Sequence, residues 1–404
     1  MMNGQKINKV GVSLLMLTVV WTVLFPPITV YSSFPKVELS DVTIVLLTIY
    51  SIGLKRGALI DVFIKYKWLF LSLIGLVVTA SVSIIFNERI SQYRDWFEPI
   101  KYIKLTLFLA YTMLYLKDLE LNKLVKYLFF CVVIFNLFHY FNLFYFNDYI
   151  EVFYAPKHHL DFFGLNSIGE PATRRMLGTL GNPNNNAILF LLFIIYFFPK
   201  RMFSLGENHL YVSIAALFVL ACQSRTGLIT LILIFAVNII IHKISWRSIL
   251  FYIGTIGLGY IVLQLSGNAY LESLADISLL ESAKRGRFEQ WILILNEMPG
   301  KWVLGHGVNK AFLEERHVYA ESEYMLILFR YGLVGIVSYT SICLVLFRKI
   351  LPYLNSKGGM MTLNVLILML ISGITNSPFH VVKLSVLVIV VMGIGLNFID
   401  EEKN

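Results

Sequence analysis

The chain has 404 residues, of which 57% are hydrophobic and only 15% charged, and its mean hydropathy is +0.71. A soluble domain carries about 25% charge, so a soluble globular protein is excluded. The long unbroken apolar runs also exclude a barrel of short alternating strands. In a soluble chain the net charge of +9 would suggest nucleic acid. Here it reports membrane topology, and no nucleic-acid partner is expected.

Lys6 and Lys9 precede a first apolar segment, near 10–30. It is too long for a signal-peptide core and lacks a small-residue cleavage site. Pro26-Pro27 should end or kink it. Further apolar segments follow near 40–54, 68–86, 98–116, 124–146, 184–199, 208–222, 226–242, 249–265, 323–347, 360–375 and 381–398. Two stretches, Ile188 to Phe198 and Leu228 to Ile241, contain no charged side chain. Runs near 20 residues match a ~30 Å hydrocarbon slab, where backbone polar groups must be satisfied within the segment. The expected fold is all-α: a single polytopic integral membrane domain over 1–404 with about 12 transmembrane helices. Cys131, Cys222 and Cys343 lie in or beside apolar runs. Their odd number and spacing predict free thiols.

With the N-terminus inside, the inner connections hold Lys55, Arg56, Lys65 and Lys67, then Lys117, Lys123 and Lys126, then Lys200 and Arg201, then Lys243 and Arg247, then Arg348, Lys349 and Lys357. The short outer connections hold fewer cations, as the positive-inside rule requires, and an even number of spans puts both termini inside. Two outer connections are long, near 147–183 and 266–322, and long loops usually carry function. The 34 lysines and arginines divide equally between the two sides, but the arginines do not. Arg56, Arg201, Arg247 and Arg348 fall inside. Arg89, Arg94, Arg174, Arg175, Arg225, Arg285, Arg287, Arg316 and Arg330 fall outside. Arginine binds phosphate bidentately and stays charged. An outward set of this kind predicts a phosphate or pyrophosphate site.

Four outer motifs stand out. Arg174-Arg175 precede Gly178-Thr179-Leu180-Gly181-Asn182-Pro183-Asn184, a turn leading into a helix. Asn182 and Asn184 either cap that helix or bind sugar hydroxyls. Arg225 sits in Gln223-Ser224-Arg225-Thr226-Gly227 between two apolar helices. There it needs a partner or water, unless it snorkels to head groups. Arg285, Arg287 and Trp291 lie in Lys284-Arg285-Gly286-Arg287-Phe288-Glu289-Gln290-Trp291; a helix is predicted from Arg287 to Glu297, with Arg287 and Trp291 on one face. The bland alternative is an amphipathic helix resting on the membrane. Pro299-Gly300 should end that helix, and Gly305-His306-Gly307 should turn. Glu321-Ser322-Glu323-Tyr324 opens a helix running to Gly332 and Gly335. Its acids either serve the helix dipole or act as a general base, with His317 a weaker base candidate. Lys101 and Lys104, one turn apart, either join the cationic cavity or snorkel. No Asp-x-Asp, P-loop, cysteine cluster or His-x-x-x-His is present, so no metal or nucleotide cofactor is expected.

The order Gly-Asn-Pro-Asn, Ser-Arg-Thr-Gly, Gly-Arg-x-x-x-Trp, then Glu-Ser-x-Tyr running to Gly-x-x-Gly resembles the O-antigen polymerase and ligase superfamily. The resemblance covers about 178–335 by motif and the whole chain by topology. It implies a GT-C-like polytopic fold and a glycosyltransferase of the bacterial inner membrane, acting on its outer face. Its substrates would be undecaprenyl-pyrophosphate-linked glycans, and a chain-length regulator and a flippase would be partners. Where ligases of the superfamily carry a His, this chain has Glu321, which favours a Wzy-type polymerase over a ligase. By resemblance Arg225 and Arg287 would hold the lipid pyrophosphate; from the residues themselves, Glu321 or Glu323 is the expected base. A transporter of lipid-linked glycans is the expectation from another class.

Overall fold

The computed structural model of the protein describes residues 2–28, 37–87, 92–116, 120–155, 175–198, 207–242, 246–265, 277–309 and 320–402. Among them there is no strand, only one isolated bridge between Ile28 and Val37. The helices of 15 residues or more among the described residues are α1 (Met2–Leu24), α2 (Leu39–Lys65), α3 (Lys67–Phe86), α4 (Phe97–Tyr115), α5 (Glu120–Phe141), α6 (Pro183–Phe197), α7 (Glu207–Ala221), α8 (Arg225–His242), α9 (Trp246–Leu265), α10 (Ile277–Glu297), α11 (Glu323–Ile350), α12 (Lys357–Thr375) and α13 (Val382–Glu401). Every predicted apolar segment falls on one of them, and α10 occupies part of the long 266–322 connection. α1 stops at Leu24, ahead of Pro26, and α10 stops at Glu297, ahead of Pro299.

Among the described residues six helices, α2, α3, α5, α11, α12 and α13, are long and apolar enough to cross a membrane. Five shorter apolar stretches lie in α1, α6, α7, α8 and α9. α4 carries Glu98, Lys101 and Lys104 in its first turns, and their charges are met inside the protein, as described below. The outer surface is apolar: Ile49, Ile64, Ile232, Ile240, Leu258, Val337 and Leu344 are each more than half exposed. Soluble monomers rarely expose contiguous apolar surface on this scale, whereas acyl chains tolerate it.

The last helix forms the axis of the bundle. α13 packs on α12, α4, α6 and α1 and is buried over 89% of its apolar stretch, against 28% for α2. Glycines let α12 and α13 approach closely, since a Cβ on Gly358 would stand 2.5 Å from the carbonyl oxygen of Gly395. Small residues serve this purpose where helices pack inside a bilayer.

Two features depart from the pattern of apolar runs. The second segment, expected to end near residue 54, continues to Lys65 with a bend at Lys55 (φ −133, ψ 21). Beyond the bend the helix is amphipathic. Leu59 is buried and Val62 and Phe63 lean on the core, while Arg56, Asp61 and Lys65 face outward. The expected inner loop is thus a helical extension, and Tyr66 alone separates α2 from α3.

α11 is broken at Gly332 (φ +63, ψ −159), a backbone region that is essentially glycine-only. The break leaves helix N–H and C=O groups to be satisfied elsewhere, and the 302–307 segment supplies partners. Leu333 N–H donates to the Trp302 carbonyl (2.8 Å) and Val334 N–H to that of Val303 (3.2 Å). In return His306 N–H donates to the Phe329 carbonyl (2.8 Å) and Gly307 N–H to that of Arg330 (3.0 Å). The Ser83 hydroxyl of α3 also donates to the Arg330 carbonyl (2.7 Å).

Candidate functional site

Asn182 has extended backbone (φ −151, ψ 129), and its side chain accepts from the N–H groups of Asn184 and Asn185 at 2.9 and 3.3 Å. With Pro183 in the first turn, this is an N-cap; the carbonyl of the Asn182 side chain serves helix α6. The Asn184 side chain accepts from the guanidinium of Arg175 at 3.1 Å. Arg175 is buried. It also donates through Nε to the Cys222 carbonyl and through a terminal nitrogen to the Gln223 carbonyl, each at 3.2 Å. Its role in the structure is to pin the segment before α6 to the turn before α8, where Gln223 adopts a left-handed backbone (φ +52). Asn186 and His139 extend this polar layer. Asn186 Nδ2 donates to Asn136 Oδ1 (2.7 Å), and the His139 ring bridges Asn147 Oδ1 (2.7 Å) and the Arg175 carbonyl (3.1 Å).

That turn delivers Arg225, half-buried, as the first residue of α8. The next residue, Thr226, hydrogen-bonds through its hydroxyl to Thr375 at the end of α12. From there the chain of contacts continues into the start of α11. The Ser322 hydroxyl donates to the Gly373 carbonyl (3.2 Å), and Glu323 N–H donates to the Asn376 carbonyl (3.0 Å). Just upstream, Glu321 accepts from Arg287 Nε of α10 at 2.9 Å, with the two side chains 48% and 39% exposed. The segments around Asn182, Arg225, Arg287 and Glu321 are therefore joined by direct contacts at one end of the bundle.

Behind this surface lies a buried ionic cluster. Glu323 is fully buried. One of its oxygens accepts from Phe379 N–H at 2.9 Å and the other is hydrogen-bonded to His380 Nδ1. His380 Nε2 lies 3.5 Å from the Tyr102 hydroxyl and 3.7 Å from Glu98 Oε1. That same Glu98 oxygen accepts from Lys101 and lies 3.5 Å from the Arg330 guanidinium. Burial pushes the His380 imidazole below its usual pKa, against the pull of the Glu323 carboxylate, and so favours the neutral ring. Of these residues, Glu98 and His380 were not singled out from the sequence. Glu98 stands three residues before Lys101, a readable helical ion-pair spacing. His380 sits in a short turn before α13 with no motif around it.

The other sequence candidates divide. Lys104 donates to Asp41 Oδ1 at 2.5 Å and reaches Glu38 Oε2 at 3.4 Å, so carboxylates at the start of α2 meet its charge. Neither Lys101 nor Lys104 snorkels. The Tyr324 hydroxyl donates to the Leu370 carbonyl at 2.7 Å. Arg285 has its backbone in α10, but its side chain, like all of Arg174 and His317, lies outside the described residues.

Chemically, the exposed part of the site offers a carboxylate and a guanidinium in contact, with a second guanidinium two helix starts away. It can bind an anion and accept a proton. Among the described residues the fold is all-helical, with six helices of membrane length and apolarity. No family model matches the chain, and no curated protein matches it in sequence.

Proposed function

We propose that this protein is a glycosyltransferase that polymerises undecaprenyl-pyrophosphate-linked repeat units on the outer face of the bacterial inner membrane. The observation carrying the reading is the contact chain from Arg225 through Thr226, Thr375, Asn376 and Glu323 to Glu321 and Arg287. It gathers motif residues spread over the chain at one end of the bundle.

A general base must come within hydrogen-bond reach of the proton it removes. Glu321 is exposed and Glu323 is fully buried, which supports Glu321 as the base in this reading, with Glu323 fixing the start of α11. Glu321 takes the proton of an acceptor sugar hydroxyl. The freed oxygen attacks the anomeric carbon of the donor glycan, and undecaprenyl pyrophosphate leaves with inversion. Arg225 and Arg287 stabilise the charge that develops on the leaving group. In this scheme Arg287 passes from Glu321 to the pyrophosphate, which unmasks the base as the donor arrives. The donor bond is already activated, so no nucleotide or metal is needed. Twelve spans, a GT-C-like arrangement, and cytoplasmic termini belong to the same reading.

A second reading, transport of the lipid-linked glycan, is favoured by the break in α11 at Gly332, because discontinuous helices are common in transporters. Arg225→Ala in cells separates the two. A polymerase loses chain growth and leaves lipid-linked single units on the outer face. Accumulation of those units on the inner face would identify a transporter instead.

A further inference from the structure

At the opposite end of the bundle, the junction of α2 and α3, the end of α11 and the end of α13 enclose a cavity of about 820 Å³. α3 and α11 pack along each other. The cavity takes its lining from Val345 to Lys349 near the end of α11, up to roughly 35 Å along the helix from Glu323. Four cations line it: Lys65, Lys67, Arg348 and Lys349. Lys65 is paired with Asp400 at 2.8 Å. Lys349 lies over the Tyr66 ring at 4.8 Å, and Lys67 over the Trp68 ring at 5.4 Å. Lys67 and Arg348 are exposed, and neither has a carboxylate within ion-pair distance among the described residues.

The remaining walls are apolar or aromatic, with Trp68, Val345 and Tyr353. The adjoining lipid-facing surface is apolar too, since Trp68 is 64% and Leu344 62% exposed. A concave site with excess positive charge at the rim and an apolar wall running toward the membrane is complementary to a phosphate head group that carries acyl chains. Basic pockets between helix ends bind anionic lipid head groups on this physical basis, and tryptophan and tyrosine suit the same depth.

We infer that this cavity is a binding site for one anionic phospholipid, whose phosphate is held by Lys67 and Arg348 and whose acyl chains lie along α3 and α11. The site is independent of the reaction at the other end. Lys349 and Lys65 add field without giving up their present partners. A soluble phosphate could satisfy the cations but would leave the apolar wall uncovered.

The test is native mass spectrometry of the full-length protein, delipidated in detergent and incubated with phosphatidylglycerol, with phosphatidylcholine, or with phosphatidylglycerol plus inorganic pyrophosphate. The expected result is one retained phosphatidylglycerol that phosphatidylcholine does not match. At about a fivefold effect per basic residue, K67Q/R348Q should weaken that binding about thirtyfold. K67R/R348K should retain it, which separates loss of charge from loss of fold. Equal retention of both lipids, undiminished binding in K67Q/R348Q, or pyrophosphate displacing the lipid would each overturn the assignment.

Discussion

Replacing Glu98 with Gln should be among the most damaging single changes in this protein. Glu98 and Glu323 balance Lys101 and Arg330, with His380 held neutral, and Glu98, Lys101 and Arg330 are all less than 10% exposed. Lys101 has its ion pair with Glu98, and Arg330 reaches the same oxygen at 3.5 Å. Gln keeps the volume and removes the charge, so Lys101 keeps only the field of Glu323 and Arg330 that of Asp95, with no ion pair for either among the described residues. Breaking a buried pair from one side costs about 3–5 kcal/mol. Lys101→Met leaves Glu98 still facing Arg330, and should cost less, about 1–3 kcal/mol. The double variant should be less destabilised than the sum of the two, because it removes a balanced pair. Unfolding in mixed micelles of rising SDS content, followed by tryptophan fluorescence, reads all three. A cost below about 1 kcal/mol for Glu98→Gln, the range of exposed pairs, would refute the reasoning. So would strict additivity in the double variant.

Gly332→Ala should prevent folded protein from accumulating. The backbone there costs a non-glycine residue about 1–3 kcal/mol, and the new Cβ would meet the carbonyls of Trp302 and Val303. Gly300→Ala, at φ +78 with open space around it, is the mild control, and expression with size-exclusion profiles compares them. Arg175→Ala should destabilise the fold by about 3 kcal/mol, because it strips partners from two backbone carbonyls and Asn184. Arg175→Lys should restore little, since an ammonium cannot span all three acceptors. Stability should fall as pH drops below the ordinary histidine value near 6.5. His380 is held below that value, so the unfolded chain takes up a proton there that the folded chain does not. His306 is lowered by burial as well and acts in the same direction. His380→Gln should flatten this loss over pH 7 to 5 in the same unfolding assay.

Much of the fold was legible because it rests on local pattern. Apolar runs fixed where helices lie, Pro26-Pro27 and Pro299-Gly300 fixed two ends, and Gly305 and Gly307 turn with positive φ. The break in α11 was not legible, because Phe329 to Ile336 reads as a continuous apolar stretch apart from Arg330 and its glycines. Only the docking of 302–307 gives Gly332 its role. The extension of α2 was missed because its charges look like a loop until Leu59 is seen to be buried. In the site, sequence grouped Arg175, Arg225, Arg287 and Arg330 as alike. The structure separates them by partner: backbone carbonyls for Arg175, a buried carboxylate for Arg330, an exposed one for Arg287. A guanidinium suits a carbonyl, a carboxylate or a phosphate equally well, so residue type alone could not divide them. The pairing of Arg330 with Glu98 spans 232 residues, and no local spacing encodes it.

We propose that Glu321 and Arg287 form the working face of a polymerase. The most direct measurement is reconstitution of the purified protein in liposomes with undecaprenyl-pyrophosphate repeat units, without metal or nucleotide, with products resolved on a gel. The exposed Arg287–Glu321 pair contributes at most about 1 kcal/mol to stability, so Arg287→Ala and Glu321→Gln should stay folded. The native protein should give a ladder of oligomers, and neither variant should. A ladder that survives both substitutions, or no ladder from the native protein with authentic substrate, would contradict it.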